Sequence, residues 1–181
     1  MAMIARQGIK PAYEDHGVGK PVFLFVHGWA CDRSAFAPQA AHFARRHRVV
    51  AVDLRGHGES DKPRGPYPML THAEDLAYLI AHLGLGKVVA LGHSMGGLTV
   101  LQLAAAYPGH VAAIVMVDPA PFVRPPELRA RSEAMFAAME AGDQEPQRQF
   151  ITNMFLAIAA DIVLDDELPP EIFTNPAAWA G

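Results

Sequence analysis

Four short apolar runs are spaced along the first two thirds of the chain. They read VFLFVHG at residues 22–28, RVVAVDLRG at 48–56, KVVALGH at 87–93 and VAAIVMVD at 111–118. Each is rich in aliphatic, β-branched or aromatic side chains, which is typical of strands covered on both faces. The pattern therefore predicts four buried strands of a mostly parallel sheet.

Segments with helical spacing of apolar residues separate these runs. Thr71 and Glu74 have the spacing of a capping box, which predicts a helix that ends at the following glycines. A second helix is expected just after Ser94 and a weaker one over residues 34–46, with Pro38 in its first turn. Alternating strands and helices with right-handed crossovers predict the α/β class with a doubly wound sheet. The residues that the second helix is expected to bury are Leu98, Leu101, Leu103 and Ala105.

The pattern changes after Asp118, where the stretch PAPFVRPPE carries four prolines and helical periodicity follows it. We therefore expect two parts, an α/β core at residues 1–121 and a helical segment at 122–181. The larger apolar side chains of the second part either line a substrate pocket or pack between helices and onto the sheet. They are Met135, Phe136, Met139 and Phe155.

Composition and charge narrow the classes of function. Hydrophobic residues make up 51% and charged residues 19% of the 181-residue chain, as in ordinary globular proteins. A net charge of −4 argues against nucleic-acid binding, so small, weakly charged molecules are the expected ligands. Cys31 is the sole cysteine, which excludes an intrachain disulfide, and no apolar run approaches the roughly 18–20 residues of a membrane span. We expect a cytoplasmic protein with no membrane association and no metal site.

Residues 92–96, Gly-His-Ser-Met-Gly, match the pattern G-x-S-x-G between a predicted strand and a predicted helix. So tight a turn strains the serine backbone and requires glycine two residues before and after it. Ser94 is then a candidate nucleophile, and the backbone N–H of Met95 at the helix N-terminus can face a developing oxyanion. The alternative is a glycine-rich turn that only packs closely.

His27, Gly28 and Trp29 follow the first apolar run. Gly28 would let this loop approach Ser94, and Trp29 would supply a second oxyanion N–H, which places His27 and Gly28 beside the substrate. The alternative is a simple turn with a buried tryptophan. DLRGHGESD at 53–61 is expected to hold its own loop by local hydrogen bonds, with His57 in a structural role.

Together HGW, DLRGHGESD and LGHSMGG resemble the α/β-hydrolase family, over about residues 5–120. The resemblance is strongest to its cofactor-independent esterases, lactonases, C–C hydrolases and non-haem perhydrolases. It implies that Ser94 is the nucleophile, that the Met95 and Trp29 amides form the oxyanion hole, and that no cofactor takes part. It also implies that the segment after Asp118 is the start of a helical cap.

The family pattern places an acid and then a histidine after the serine, but all nine histidines lie at or before position 110. His110 precedes the fourth strand and is expected at the far end of the sheet from Ser94. Asp118 is either the acid or a strand-end aspartate bonded to loop amides. The last strands of the family are therefore expected to be missing, which would leave a sheet edge for association with another chain.

Two functions remain open from the sequence. The first is a serine hydrolase that cleaves an ester, lactone or related bond of a small apolar molecule through an acyl-enzyme. Perhydrolysis would use the same residues. The second is a non-catalytic protein that binds a ligand or a partner.

Overall fold

The computed structural model describes residues 2–3, 8–64, 66–120, 125–143, 145–146, 148–149 and 152. The chain divides into two compact units, residues 1–120 and residues 121–180. In the described part, the first unit contains a sheet with helices α1 (Ala37–Phe43), α2 (Met69–His82) and α3 (Met95–Ala106), and the second contains α4 (Pro126–Glu140). Short 3₁₀ turns, Arg33–Phe36 and Pro108–His110, precede α1 and follow α3.

The described part of the first unit contains six strands: β1 Ala2–Met3, β2 Ala12–His16, β3 Val22–Val26, β4 Val49–Val52, β5 Val88–His93 and β6 Val111–Val117. They form one sheet in the order β1-β2-β4-β3-β5-β6. Strands β4, β3, β5 and β6 are parallel, whereas β2 pairs antiparallel with β4 and with β1. All four strands predicted from apolar runs are present, and the predicted mostly parallel sheet is confirmed.

Helices cover both faces of this sheet. Leu24 and Val26 of β3 belong to a core that also contains residues of α2 and α3, whereas Phe25 packs with Phe36 and with Ala40 of α1. Successive strand residues point to opposite faces, so the two cores lie on opposite sides of the sheet. The doubly wound arrangement is therefore confirmed.

The chain reverses direction across the sheet at β3. From β3 it passes through α1 to β4 on one side, and then through α2 to β5 on the other side. The carboxyl ends of β3 and β5 therefore flank a topological switch point, where open α/β sheets bind their ligands.

The prediction that all four strands are buried is wrong for β6. Val115, Met116 and Val117 are 42%, 37% and 43% exposed, whereas every residue of β4 is buried. The physical reason is position, because β6 is the last strand of the described sheet and has a neighbour only on the β5 side.

Two details of the helix predictions are also wrong. Helix α2 begins at Met69 after Pro68, so Thr71 lies inside the helix and caps nothing. Of the residues expected to be buried on α3, only Leu103 is; Leu98 and Leu101 are half-buried, and Ala105 is exposed. The buried side of α3 consists of Gly96, Gly97, Thr99, Val100 and Leu103. No described helix has the length and apolar character needed to cross a membrane.

Candidate active site

The turn between β5 and α3 holds Ser94 in a backbone conformation that few L-residues adopt. Its φ is 50° and its ψ −116°, and α3 begins at the next residue, Met95. Such a conformation costs roughly 1–3 kcal/mol and persists only where the surroundings impose it. The strained serine turn expected from the sequence is present, and it sits at the first turn of a helix, where backbone N–H groups lack intrahelical acceptors.

The two glycines of the motif are required by close backbone contacts. A Cβ atom at Gly92 would overlap the carbonyl of Gly96 and lie 2.6 Å from the nitrogen of Gly97, and a Cβ at Gly96 would overlap the carbonyl oxygens of Val26 and His27. The serine turn is thus folded tightly on itself and pressed against the end of β3.

The loop after β3 lies against Ser94. A Cβ atom at Gly28 would be 3.3 Å from Ser94 Cβ and 3.0 Å from His93 Nδ1, closer than most side chains approach. Gly28 therefore brings this loop, which continues through Trp29, next to the candidate nucleophile at the switch point. Both features expected to form an oxyanion site lie at the same edge of the sheet.

His27 holds the loop that follows β3 through both nitrogens of its ring, and its contact with substrate stays a prediction. Its ring is fully buried, its Nε2 accepts a hydrogen bond from Leu54 N–H at 3.0 Å, and its Nδ1 donates to the Gly28 carbonyl at 2.7 Å. Burial lowers the pKa of His27 to about 4, so the ring is neutral near pH 7. Both ring nitrogens are used to hold the loop.

His110 and Asp118 mark opposite ends of β6. Val111 pairs with Val88 at the start of β5, whereas Val117 pairs with His93 beside Ser94. The expectation that His110 lies at the far end of the sheet from Ser94 agrees with this register. Asp118 follows the near end, where Ser94 N–H donates to the Val117 carbonyl at 3.1 Å.

Asp118 is strained as well, with φ 41°, and it is exposed. No hydrogen bond joins its carboxylate to another described residue, so the loop-amide alternative has no support in that part of the chain. Nor does any described residue accept a hydrogen bond from Ser94 Oγ. The described residues thus contain a serine turn and a nearby carboxylate, but no hydrogen-bonded base.

The family model described as "alpha/beta hydrolase fold" matches residues 21–156, which is more than half of the chain. The chain belongs to the α/β-hydrolase family. The match includes the first strand of the parallel sheet, the Ser94 turn and α4, so the family assignment does not depend on the serine motif alone.

Several relatives of this α/β hydrolase are enzymes. The 2-(acetamidomethylene)succinate hydrolase of Mesorhizobium japonicum is 36% identical over 68% of this chain and 43% of that protein. A non-heme haloperoxidase of Rhodococcus erythropolis is 38% identical over 65% of this chain and 43% of that protein. A thermophilic esterase from Thermogutta terrifontis, solved with malate bound, is 35% identical with a TM-score of 0.67, over 75% of this chain and 51% of that one. The chain spans less than half the length of these two curated relatives.

The apolar residues expected to line a pocket belong to the second unit of the chain. Met135 is buried on α4 and Phe136 is 43% exposed. Met139 lies on the same helix, and Phe155 lies outside the described residues. Among the described residues, no group of three or more His, Cys, Asp or Glu side chains is arranged to hold a metal ion.

The pairing of Arg33 with Asp53 near the site was not predicted from the sequence. Asp53 is fully buried and accepts a hydrogen bond from the backbone N–H of Arg33 at 2.7 Å. The only local signal was a carboxylate directly after a buried strand, and nothing in the sequence identified its partner. The expected structural role of DLRGHGESD agrees with this contact and with the Ser60 hydroxyl, which donates to the Asp53 carbonyl at 2.7 Å.

Proposed function

We propose that the protein is a serine hydrolase that cleaves an ester, lactone or related bond of a small apolar molecule. The observation that supports this most is the strained Ser94 turn at the start of α3, pressed against Gly28 at the switch point of the sheet. A backbone held at such a cost beside a ligand-binding crevice is typical of a nucleophile.

In the proposed reaction, Ser94 Oγ attacks the substrate carbonyl carbon while its proton passes to a base. The carbonyl oxygen becomes an oxyanion, which the backbone N–H groups of Met95 and Trp29 stabilise. Collapse of this intermediate expels the alcohol and leaves an acyl group on Ser94. A water molecule then attacks the acyl carbon and releases the acid.

Asp118 is the proposed acid of the site. It follows the strand that pairs with β5, its positive φ resembles that of Ser94, and both residues stand at the carboxyl edge of the sheet. A carboxylate there would orient a histidine that takes the serine proton and would stabilise the imidazolium that forms.

The relatives support a small-molecule substrate, since their names include a succinate-derivative hydrolase and an esterase. We further propose that residues 122–181 form a helical cap and that the protein acts in the cytoplasm.

A second candidate function is binding without catalysis. The observation that favours it is the absence of a hydrogen-bonded base for Ser94 among the described residues, because a serine hydroxyl without a base is a poor nucleophile at neutral pH. In that case the carboxyl ends of β3 and β5 beside Ser94 would hold a ligand but would not react with it.

A fluorophosphonate probe separates the two functions. We expect the folded 181-residue chain to gain one phosphonyl group on the peptide that contains Ser94, measured by intact-mass and peptide mass spectrometry. Ser94→Ala is the matched control and should remain unlabelled. Circular dichroism of both proteins establishes that each is folded, and a folded, unlabelled wild type would favour binding without catalysis.

A further inference from the structure

The loop that follows β3, residues 27–33, is held at both ends by the two residues that follow β4. At its start, His27 Nε2 accepts the backbone N–H of Leu54 at 3.0 Å. At its end, the backbone N–H of Arg33 donates to Asp53 Oδ1 at 2.7 Å. Gly28, which lies against Ser94, is between these two anchors.

The Asp53 carboxylate is enclosed by hydrogen-bond donors. Besides the Arg33 N–H, it accepts the backbone N–H of Glu59 at 2.9 Å and the Arg33 guanidinium, both on Oδ2. Gly58, with φ 50°, lies so close that a Cβ there would overlap the carboxylate. Two donors therefore point at one oxygen of a side chain that water does not reach.

The Arg33 guanidinium extends this anchor to strand β2 and to a second residue of the loop after β4. Its Nε donates to Glu14 Oε1 on β2 at 3.1 Å, and its Nη2 pairs with Glu59 Oε2 at 2.5 Å. Asp53 and Arg33 thus tie the end of the loop to strands β2 and β4, and through β4 to β3 and β5.

We propose that Asp53 is a positioning residue for the nucleophile site, setting the place of the 27–33 loop relative to Ser94. This inference rests on the proposed function of Ser94. A loop that is free to shift by about 1 Å would misplace its oxyanion donor, and loss of one such donor costs about 100- to 1000-fold in rate. Partial displacement should cost less.

The test compares two Asp→Asn substitutions. In Asp53→Asn one acceptor oxygen becomes an NH2 group, so either the Arg33 backbone N–H or the two donors to Oδ2 lose their acceptor. Asp75→Asn is the matched control, because Asp75 is also buried and accepts hydrogen bonds from Arg55 Nε and Nη2, both at 2.8 Å. Asp75 lies on α2, and its partner Arg55 is outside the 27–33 loop.

We expect Asp53→Asn to lower the rate constant of fluorophosphonate bond formation about 10- to 100-fold, with less than a twofold change in the reversible binding constant of the probe. Asp75→Asn should leave both constants within about twofold of the wild type. Arg33→Lys keeps the backbone N–H and the charge and should give an intermediate loss, and it replaces Asp53→Asn if that variant does not fold. Equal losses in the two Asp→Asn variants, or a change confined to probe binding, would overturn the proposal.

Hydrogen–deuterium exchange distinguishes failure of this inference from failure of the proposed function. In Asp53→Asn, or in Arg33→Lys if the former does not fold, the peptide that spans residues 27–33 should exchange faster than in the wild type, while Asp75→Asn leaves it unchanged. An unlabelled wild type together with this exchange pattern would refute the serine hydrolase function and retain Asp53 as the anchor of the loop. Unchanged exchange in the Asp53 or Arg33 variant would refute the anchor itself.

Discussion

Gly96 meets the backbone of β3 more closely than any side chain would allow. A Cβ there would overlap the carbonyl oxygens of Val26 and His27. Gly96→Ala must therefore separate α3 from β3, and we expect it to lower the free energy of unfolding by at least about 3 kcal/mol, measured by urea denaturation.

Gly109 provides the control for this substitution. A Cβ added at Gly109 would meet no heavy atom within 4 Å, and the φ of Gly109 is not positive. Gly109→Ala should change the free energy of unfolding by no more than about 0.5 kcal/mol. Similar losses in the two variants would contradict the steric argument.

His72, a buried histidine on α2, is expected to make the stability of the protein depend on pH. His72 is 1% exposed, its Nδ1 has no hydrogen-bond partner among the described residues, and burial lowers its pKa to about 4 from an ordinary 6.5. Between these pH values the unfolded chain binds more protons than the folded chain, so stability falls as pH drops from 6.5 to 4.

His72→Leu should therefore flatten the acid side of the stability curve. We expect the loss of unfolding free energy between pH 7 and pH 5 to shrink by on the order of 1–2 kcal/mol, measured by urea denaturation across that range. Stability at pH 7 should be retained or raised, because the substitution removes a buried polar atom. An unchanged acid slope would show that His72 does not titrate as its burial implies.

At the residue scale, the features that could be predicted from the sequence were those set by contacts between residues close together in the chain. The role of Gly92 follows from the sterics of a single tight turn, so the motif was sufficient to predict it, whereas Gly96 is required by its contact with the carbonyls of Val26 and His27 at the end of β3. Asp53 and Arg33 are 20 residues apart and meet only because β3 and β4 are neighbours. No local pattern encodes such a contact, and the anchor could not be predicted.

Helices and strands show the same division between local and long-range information. Strands β3, β4 and β5 were predicted because continuous apolar runs suit a strand with helices on both faces. The predicted start of α2 was wrong. Thr71 and Glu74 have the spacing of a capping box, but the helix already begins after Pro68. A capping box identifies residues that are able to cap a helix, whereas the fold decides where the helix starts.

The 3₁₀ turn Arg33–Phe36, which precedes α1, begins with a side-chain cap. Asp32 accepts the backbone N–H of Ser34 at 2.8 Å ahead of the 3₁₀ turn that leads into α1. Asp32→Ala should lower the free energy of unfolding by about 1 kcal/mol. Thr71→Ala, a substitution at the expected but absent cap, should cost less than about 0.5 kcal/mol. Denaturant midpoints that place Thr71→Ala below Asp32→Ala in stability would contradict the structure.

At the scale of the whole molecule, the outer edge of β6 has no neighbouring strand in the described sheet. This strand was predicted from its apolar run and was expected to be buried. The expectation of burial was wrong because an apolar run indicates a strand without showing how many neighbouring strands it has. The structure places β6 last in the described sheet, with Val115, Met116 and Val117 exposed. An apolar edge strand of this kind is a template for pairing with another strand.

We therefore expect the 181-residue chain to associate through β6, with a mass from light scattering that rises with protein concentration. Val115→Lys should suppress this rise, because a charged side chain on an edge strand opposes pairing. Val18→Lys is the matched control, since Val18 is 81% exposed in the turn between β2 and β3, away from β6. If Val18→Lys suppressed association equally, net charge rather than the β6 edge would be responsible. A wild type that stays monomeric at every concentration would show that the exposed apolar residues of β6 do not pair.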